Sequence, residues 1–503
     1  MKYAVTGKQM KGIDQDSIQR IGIPSVVLME RAALAVAHAA EGLAEKRAPG
    51  QERIRIAAVC GTGNNGADGI AAARILWGRG YEAEILLAGD PEHGTEEYLL
   101  QRRIAQELGI PVKPAKEWNP QGGEIVLDAL FGIGLGRAIE GEYRELIEKI
   151  ARLRDRDVVA VDIPSGIHGD TGAVMGTAVK ASVTVTFGYV KSGLLLYPGR
   201  EYAGRVWVED IGFFDCSRIR AGWDAKVLER EDMDRLPKRP PDSNKGTFGK
   251  LLVVAGSAGM CGAAYLCALA AYRVGTGLVR ILTVPENRAV LQSQLPEAIV
   301  DAVAPEELAR SVKERCGWAS AVVVGPGLGQ GIYVEELVEA VLASAKGFVV
   351  VDADGLNAVA REPRLADYFA GRAVVTPHMG EMARLTGQPV SALKANRLLA
   401  AREYAGRTGA VCVLKDASTV TADQSGEAYI NASGCSAMAK GGSGDVLAGV
   451  IGGLLAQGMG RMEAAAWGVY LHGLAGEQAA EGHGASSVLA RELADSLGEV
   501  WHR

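Results

Sequence analysis

Short apolar runs alternate with longer, helix-periodic segments along almost the whole chain. In the first 45 residues the apolar positions Ile23, Val27, Leu28, Ala32 and Ala35 recur at three- and four-residue spacing, which predicts helix with one buried face. Compact apolar runs then follow at 54–60, 83–87, 125–127, 158–161 and 181–187, with helical stretches such as 70–79 and 96–108 between them. Runs this short and this apolar predict strands buried on both faces. Their alternation with helices predicts a parallel sheet covered on both sides.

A charged, proline-containing stretch at 230–244 (REDMDRLPKRPPDSN) interrupts the pattern and reads as a linker, with a domain boundary near 220–240. The alternation restarts with apolar runs at 250–255, 279–284, 321–324, 348–351, 373–376 and 411–415. No fixed-period repeat is present. The chain is therefore expected to hold two different α/β domains in series, about 1–220 and 225–503, and not a solenoid.

Composition narrows this picture without redirecting it. A chain of 503 residues exceeds one ordinary core, and 48% apolar with 23% charged residues is the balance of a soluble globular protein. A net charge of −6 argues against a general affinity for nucleic acid or anionic membrane. Cys60, Cys216, Cys261, Cys267, Cys316, Cys412 and Cys435 are scattered without a C-x-x-C pair, which is neither a disulfide framework nor a zinc pattern. The N-terminus lacks an apolar core of signal-peptide length, and the longest apolar stretch, 446–456, is too short and glycine-rich to span a bilayer. A cytoplasmic protein is expected. Glycine, at 65 residues, is the informative excess, because it clusters between apolar runs and helical segments, where α/β proteins bind phosphates.

The clearest cluster is Gly441-Gly442-Ser443-Gly444-Asp445, at the start of an apolar helix. It reads either as a capped helix with Asp445 on the dipole, or as an anion site in which Asp445 takes a proton from an attacking hydroxyl. Companion motifs favour the second. KGTFG (245–249) leads into an apolar run that ends in GSAGMCGAA (256–264), and GPGLG (325–329), DADGLN (352–357), TPHMGE (376–381) and LKDAST (414–419) each follow another. Open α/β sheets place ligands at such strand ends.

Jointly these motifs resemble the ADP/ATP-dependent NAD(P)H-hydrate dehydratases, over about 225–503. The resemblance implies a ribokinase-like αβα domain that phosphorylates the C6 hydroxyl of a hydrated nicotinamide cofactor and eliminates phosphate, regenerating NADH or NADPH. It implies Asp445 as the catalytic base, Gly442, Ser443 and Gly444 as an anion hole, and Ala263, Gly327 and His378 with Asp445 along the hydrate pocket. Lys415, Asp416, Ala417, Ser418, Thr419 and Gly444 would contact the nucleotide, which arrives with magnesium. The chain departs from the family pattern at Met379, where proline is common, and at Asp416, where glycine is common.

In the first half, the apolar run 54–60 enters Gly61-Thr62-Gly63-Asn64-Asn65-Gly66-Ala67-Asp68-Gly69. The spacing of Gly61, Gly63 and Gly66 matches a weak G-x-G-x-x-G pattern, without the usual acidic residue after a second strand. DALFGIGLGR (128–137) and DIPSGIHGDTG (162–172) follow two more apolar runs. Asn65, Asp128 and Ser165 offer only hard oxygen donors, which suit an alkali or alkaline-earth cation better than zinc. Asp128 and Asp162 read equally well as caps at strand ends.

Together these motifs closely resemble the NAD(P)H-hydrate epimerases over about 1–215, implying a Rossmann-like three-layer αβα domain that interconverts the R and S hydrates at C6. The resemblance implies potassium held by Asn65, Asp128 and Ser165. It implies hydrate contacts from Asn64, Asn65, Gly66, Ala67 and Asp68. Further contacts would come from Gly132, Ile133, Gly134, Leu135, Gly136, Arg137 and Ala138, and from Tyr143 and Asp162. Asp162 is the candidate acid/base. Glu30-Arg31-Ala32-Ala33 differs from the more usual Glu-Asn-Ala-Gly, a difference of packing.

The whole chain is thus expected to be a bifunctional repair enzyme for NADHX and NADPHX, with potassium in one domain and magnesium with ADP or ATP in the other. Fusion of both domains makes ADP the expected donor, and a homo-oligomer is expected. The rival readings are a kinase that stably phosphorylates a small alcohol, and a first half that only binds.

Overall fold

A computed structural model describes residues 1–47, 54–120, 123–153, 157–213 and 224–501, excepting the side chain of Ile332. Cys216 and part of the expected boundary region lie outside the described residues. The chain divides into two compact units, Lys2–Ala225 and Lys226–Arg503, the latter with Met1. Among the described residues no helix is long and apolar enough to cross a membrane.

The first unit does not begin with helix throughout. Residues Lys2–Val5 form a strand, β1, followed by helix Gly7–Gln15 and a wide turn of helix to Ile21. Gly22, at φ 89°, then breaks the chain before the long helix Ser25–Arg47. Of the apolar face read in the sequence, Leu28, Ala32 and Ala35 are buried on that last helix, whereas Val27 is exposed and Ile23 precedes the helix. Lys2–Val5 is too short to show a period.

The strands that follow are β2 (Arg55–Cys60), β3 (Glu82–Leu87), β4 (Val112–Pro114), β5 (Ile125–Ala129), β6 (Asp157–Val161), β7 (Val183–Phe187), β8 (Val190–Lys191) and β9 (Arg205–Glu209). Seven of them form a sheet in the order β4-β3-β2-β5-β6-β7-β9, every pair parallel, while β8 pairs with β1. Ile56, Ala58 and Cys60 pack into one core with the helices Ser25–Arg47 and Asn64–Gly78. Ala57 and Val59 pack into another on the opposite face with helix Gly141–Arg152. Strands with two covered faces have no polar side, so they appear in sequence as continuous apolar runs. The chain leaves β2 for β3 and β4, then returns to place β5 on the other side of β2. The crevice at that reversal, beyond the C-terminal ends of β2 and β5, is where such sheets bind ligands.

In the second unit β10 (Ala225–Val227) precedes β11 (Lys250–Val254), β12 (Leu278–Thr283), β13 (Ile299–Ala302), β14 (Ala321–Val324), β15 (Phe348–Val351), β16 (Ala373–Val375), β17 (Val411–Leu414), β18 (Val420–Ala422) and β19 (Ala428–Ile430). The order β13-β12-β11-β14-β15-β16-β17 is parallel, and β18 and β19 extend it antiparallel. Helix Ser443–Ala456 is buried from Val446 to Ala456. A side chain on Gly449 would overlap the Cys267 carbonyl of helix Cys261–Arg273, so the glycine permits the close approach. A helix apolar on every side has to sit inside the domain, and this one does.

Edge elements escaped the periodicity. β4 carries a proline, β9 has no buried residue, and β13, β18 and β19 hold only three or four residues each.

Candidate functional site

In the first unit a cleft of about 560 Å³ opens at the reversal between β2 and β5. From the turn after β2 it takes Thr62, Gly63, Asn64, Asn65 and Asp68, and from the loop after β5 it takes Leu130 to Leu135. Tyr143, Asp162, Lys191, Asp14 and Glu97 add to its polar lining, with Lys11, Ser25 and Thr95. Gly66 and Ala67 do not reach it: they are buried on the inner side of helix Asn64–Gly78, where a side chain on Gly66 would overlap the Gly61 carbonyl. Helical periodicity accounts for this, because Asn64, Asn65 and Asp68 share a face that the two residues between them do not. Gly136, Arg137 and Ala138 are exposed beyond the lining residues.

Beneath the cleft lies a fully buried pair. Asp128, at the end of β5, accepts the Ser165 amide (2.7 Å) and hydroxyl (2.5 Å), while the Ser165 Oγ accepts the Phe131 amide (2.9 Å). Burial pushes the Asp128 carboxyl up to about 6 despite those donors, and among the described residues no lysine or arginine pairs with it. Asn65 adjoins the same segment: its Oδ1 stands 3.1 Å from where a side chain on Gly132 would begin, and its Nδ2 is buried without a partner.

Asp162 takes an unusual backbone conformation, φ 66°, with its amide donating to Val185 O (2.8 Å). Such geometry persists where surrounding contacts over-determine it. Its Oδ1 accepts Lys191 Nζ (2.6 Å) and Thr186 Oγ1 (3.1 Å). Across the cleft, burial and then the charges of Asp162, Asp14 and Glu97 raise Asp68 well above the usual carboxylate range. Asp14 is raised too, by burial and then by Glu97. Lys191, Asp14 and Glu97 are site residues that sequence reasoning missed. Asp14 and Glu97 sit on helices that carry no motif. The one available signal for Lys191 was a lysine inside the apolar stretch after the run 181–187.

In the second unit the strand-end loops bring charges together. Lys415, directly after β17, donates to Asp352 Oδ1 (2.8 Å) beyond β15, and Thr376 Oγ1, beyond β16, donates to the same oxygen (2.7 Å). A side chain on Gly444 would begin 3.4 Å from Lys415 Nζ and 3.9 Å from Asp352 Oδ2, so the anion-hole candidate adjoins this pair. The preceding Gly442 has φ 94°, and a side chain there would lie 2.6 Å from Leu266. Only glycine fits that N-cap. Gly441–Asp445 follows a short helical turn, Ser436–Met438, and not a strand.

Asp445 is pushed up to about 7, by burial and then Asp352, with Lys415 opposing. Glu381 also rises to about 7 through burial while accepting the His378 amide (2.7 Å). His378 caps helix Met379–Thr386: its Nδ1 accepts the amides of Gly380 (2.9 Å) and Glu381 (3.3 Å). Burial and the Lys415 charge hold His378 below the ordinary histidine range. Lys415 itself is drawn down by burial but raised overall by Asp352 and Glu381.

Gly327 and Ala263 are adjacent, a side chain on the former beginning 2.8 Å from the Ala263 Cβ. Ala417 is exposed, Ser418 buried, and Thr419 Oγ1 donates to the Asp416 carbonyl (3.1 Å). The Asp416 carboxylate is engaged by buried Arg397 at 2.6 Å, which balances its charge within the loop. Lys440 is exposed and donates to Ser486 O (2.8 Å). KGTFG lies at the start of β11, the opposite end of the sheet from the other loops. His472 was missed. It is buried in helix Arg461–His483, is pushed down by burial to about 4, and is therefore neutral, so its Nε2–H donates to Ser443 O (2.9 Å).

A family model described as NAD(P)H-hydrate dehydratase matches residues 251–498, and one described as YjeF-related protein N-terminus matches residues 25–193. Across 97% of its length the chain is 39% identical to the bifunctional NAD(P)H-hydrate repair enzyme Nnr of Thermofilum pendens, covering 94% of that protein. It is 36% identical to the enzyme of the same name from Escherichia coli K12, over 88% of this chain and 84% of that one. Among solved structures, an ADP/ATP-dependent NAD(P)H-hydrate dehydratase of Bacillus subtilis, co-crystallized with ATP and Mg²⁺, is 36% identical with a TM-score of 0.50, over 56% of this chain and 98% of that one. A ribokinase-like superfamily protein of Enterococcus faecalis V583 is 28% identical with the same TM-score of 0.50. The second unit is thus ribokinase-like and the first Rossmann-like. With relatives this similar along nearly its full length, the chain belongs to the bifunctional NAD(P)H-hydrate repair enzymes.

Proposed function

We propose that the chain repairs NADHX and NADPHX in two centres: residues 1–220 epimerise the hydrate at C6, and residues 225–503 dehydrate the S form at the expense of ADP or ATP. The observation that carries the second activity is the meeting of the Lys415–Asp352 pair with Gly444 and Asp445 at the N-terminus of a buried helix. Asp445 takes the proton of the C6 hydroxyl as its oxygen attacks the terminal phosphoryl group, and the bond from that phosphorus to the bridging oxygen breaks, so that AMP or ADP leaves with its electron pair. The Gly442–Gly444 amides receive the phosphate charge, favoured by the helix terminus. Loss of phosphate from C6 and of a proton from C5 then restores the C5=C6 bond. Ala263, Gly327 and His378 border the hydrate, and the loop Lys415–Thr419 the nucleotide.

Magnesium comes with the nucleotide. The ion would be held chiefly through the phosphates, as Mg²⁺ favours. When bound it neutralises charge on the transferred group. In the first unit the donors fit potassium: Asn65, Asp128 and Ser165 are all-oxygen, and Asp128 is a buried carboxyl whose charge needs a counter-ion. Asn64, Asn65, Asp68, the loop Gly132–Leu135, Tyr143 and Asp162 hold the hydrate in the cleft. A cytoplasmic homo-oligomer completes the reading, and light scattering tests the assembly. The activity test is incubation of an R/S hydrate mixture with the protein and ADP or ATP. Full return of the reduced-nicotinamide absorbance is expected, and return of the S fraction alone would remove the epimerase half.

A further inference from the structure

Lys191 is 1% exposed although it borders the cleft, and a buried ammonium has to place each of its three hydrogens. It donates to Asp162 Oδ1 (2.6 Å), to Thr186 Oγ1 (3.0 Å) and to Phe187 O (3.1 Å). Thr186, its lone pair taken by the ammonium, turns its own hydrogen onto Asp162 Oδ1 (3.1 Å). Two donors therefore converge on one carboxylate oxygen and none of the described residues donates to the other. Lys191 has no hydrogen left for a substrate, which rules out a direct contact of the donor kind in this arrangement. The pieces come from β7 and β8 on one side and from the φ 66° turn after β6 on the other. The other charged groups bordering this cleft are Asp14, Asp68, Glu97 and Lys11.

We propose that Lys191 is a positioning residue of the epimerisation centre: with Thr186 it ties down Oδ1 of Asp162, so that Oδ2 faces the cleft as the proton acceptor. This rests on the reading of the first unit as an epimerase. C6 of the hydrate bears both the hydroxyl and the ring nitrogen N1, so inversion there proceeds by opening the ring. Asp162 Oδ2 takes the hydroxyl proton, and the O–H electron pair forms the C6=O bond. The C6–N1 bond breaks, its pair passing to N1, and N1 takes a proton from the Asp68 carboxyl, which burial and the carboxylates of Asp162, Asp14 and Glu97 raise well above the usual range. Rotation about C5–C6 and the reverse steps close the ring on the other face. A carboxylate free to rotate serves neither direction well. That is what the fixed ammonium prevents.

The test uses the full chain with R-enriched NADHX, scoring epimerisation by chiral separation and dehydration of the S form on the same samples. Lys191→Met is expected to lower the epimerisation kcat about 100-fold, within the range a positioned base contributes. KM should move less than about threefold, and dehydration should be unchanged, because the hydrate binds through other groups. Lys191→Arg, which keeps the charge and several donors, should recover about tenfold of that loss. Thr186→Val, which leaves the ammonium in place, should cost about three- to tenfold in kcat alone. It serves as the decisive variant if Lys191→Met loses the folded circular-dichroism signature of the first unit. A wild-type kcat in both Lys191→Met and Thr186→Val would overturn the proposal. So would a raised KM with intact kcat, or equal loss in the Met and Arg variants, which marks simple packing. If the unaltered chain does not epimerise, the functional reading fails instead.

Discussion

The two centres use one architectural device and give their carboxylates different partners. In both units glycine-rich loops at the C-terminal ends of parallel strands gather charged side chains from distant parts of the chain. In the first, a buried lysine bonds directly to Asp162 at 2.6 Å. In the second, Lys415 bonds not to Asp445 but to Asp352 at 2.8 Å, and Asp445 is raised to about 7 by burial and by that same Asp352. Asp162 is tied to a partner of its own; Asp445 is raised toward neutral pH beside a pair that is already satisfied. The difference suits the chemistry proposed for each, since a reversible epimerisation needs a fixed base, whereas a phosphoryl transfer needs a base matched to neutral pH.

Removing the base of the second centre should have the largest effect. Asp445→Asn is expected to reduce dehydration about 10²–10⁴-fold while epimerisation is untouched, measured as separate rates on the two hydrate epimers. Near-normal turnover would show that another group takes the proton. Asp162→Ala should do the converse to epimerisation, by a similar factor, when an R-enriched hydrate is followed.

The pH dependence should separate the centres next. A base near 7 makes the dehydration kcat/KM rise about tenfold per pH unit below that value and level off above it. The same shift has a stability consequence of known sign. A carboxyl whose folded value is raised from 3.8 to about 7 contributes most to stability below 3.8 and loses that contribution as pH rises to about 7. Asp445→Asn should therefore raise Tm at pH above 8, where the wild type carries the buried charge, and change it little at acid pH. A lowered Tm at both would contradict the electrostatic account.

A smaller loss is expected from His472→Phe, which leaves the Ser443 carbonyl without its donor. About tenfold in dehydration kcat, equivalent to about 1.4 kcal/mol, is the scale of one buried hydrogen bond at the anion hole. The smallest effect on activity belongs to Asp416→Gly. Its carboxylate already serves Arg397, so nucleotide KM should stay within about threefold, while stability falls by about 1–3 kcal/mol as the buried guanidinium loses this carboxylate.

Much of the fold was legible because its strands are covered on both faces. Runs such as Arg55–Cys60 and Ala321–Val324 show as uninterrupted apolar stretches, while Val112–Pro114 and Arg205–Glu209, at the two edges of the first sheet, do not. The site was legible where chemistry sits in a turn with its own signature, as in Gly441–Asp445 or the pairing of Asp128 with Ser165 across 37 positions. It was not legible where function depends on burial. Nothing in Tyr189-Val190-Lys191 says that the lysine will be enclosed, and His472 sits in an alanine- and glycine-rich helix that reads only as core. Consecutive motif residues also look equivalent in a string but not on a helix, which is why Gly66 and Ala67 face inward while their neighbours line the cleft.

The most direct test of the account is a coupled assay of defined R and S hydrates with the full chain, run in parallel with ADP and with ATP. The account predicts that the S form is converted to the reduced cofactor with one phosphate released per turnover, and that the R form follows at the rate of epimerisation. Accumulation of a phosphorylated hydrate without return of the reduced nicotinamide, with either nucleotide, would contradict it.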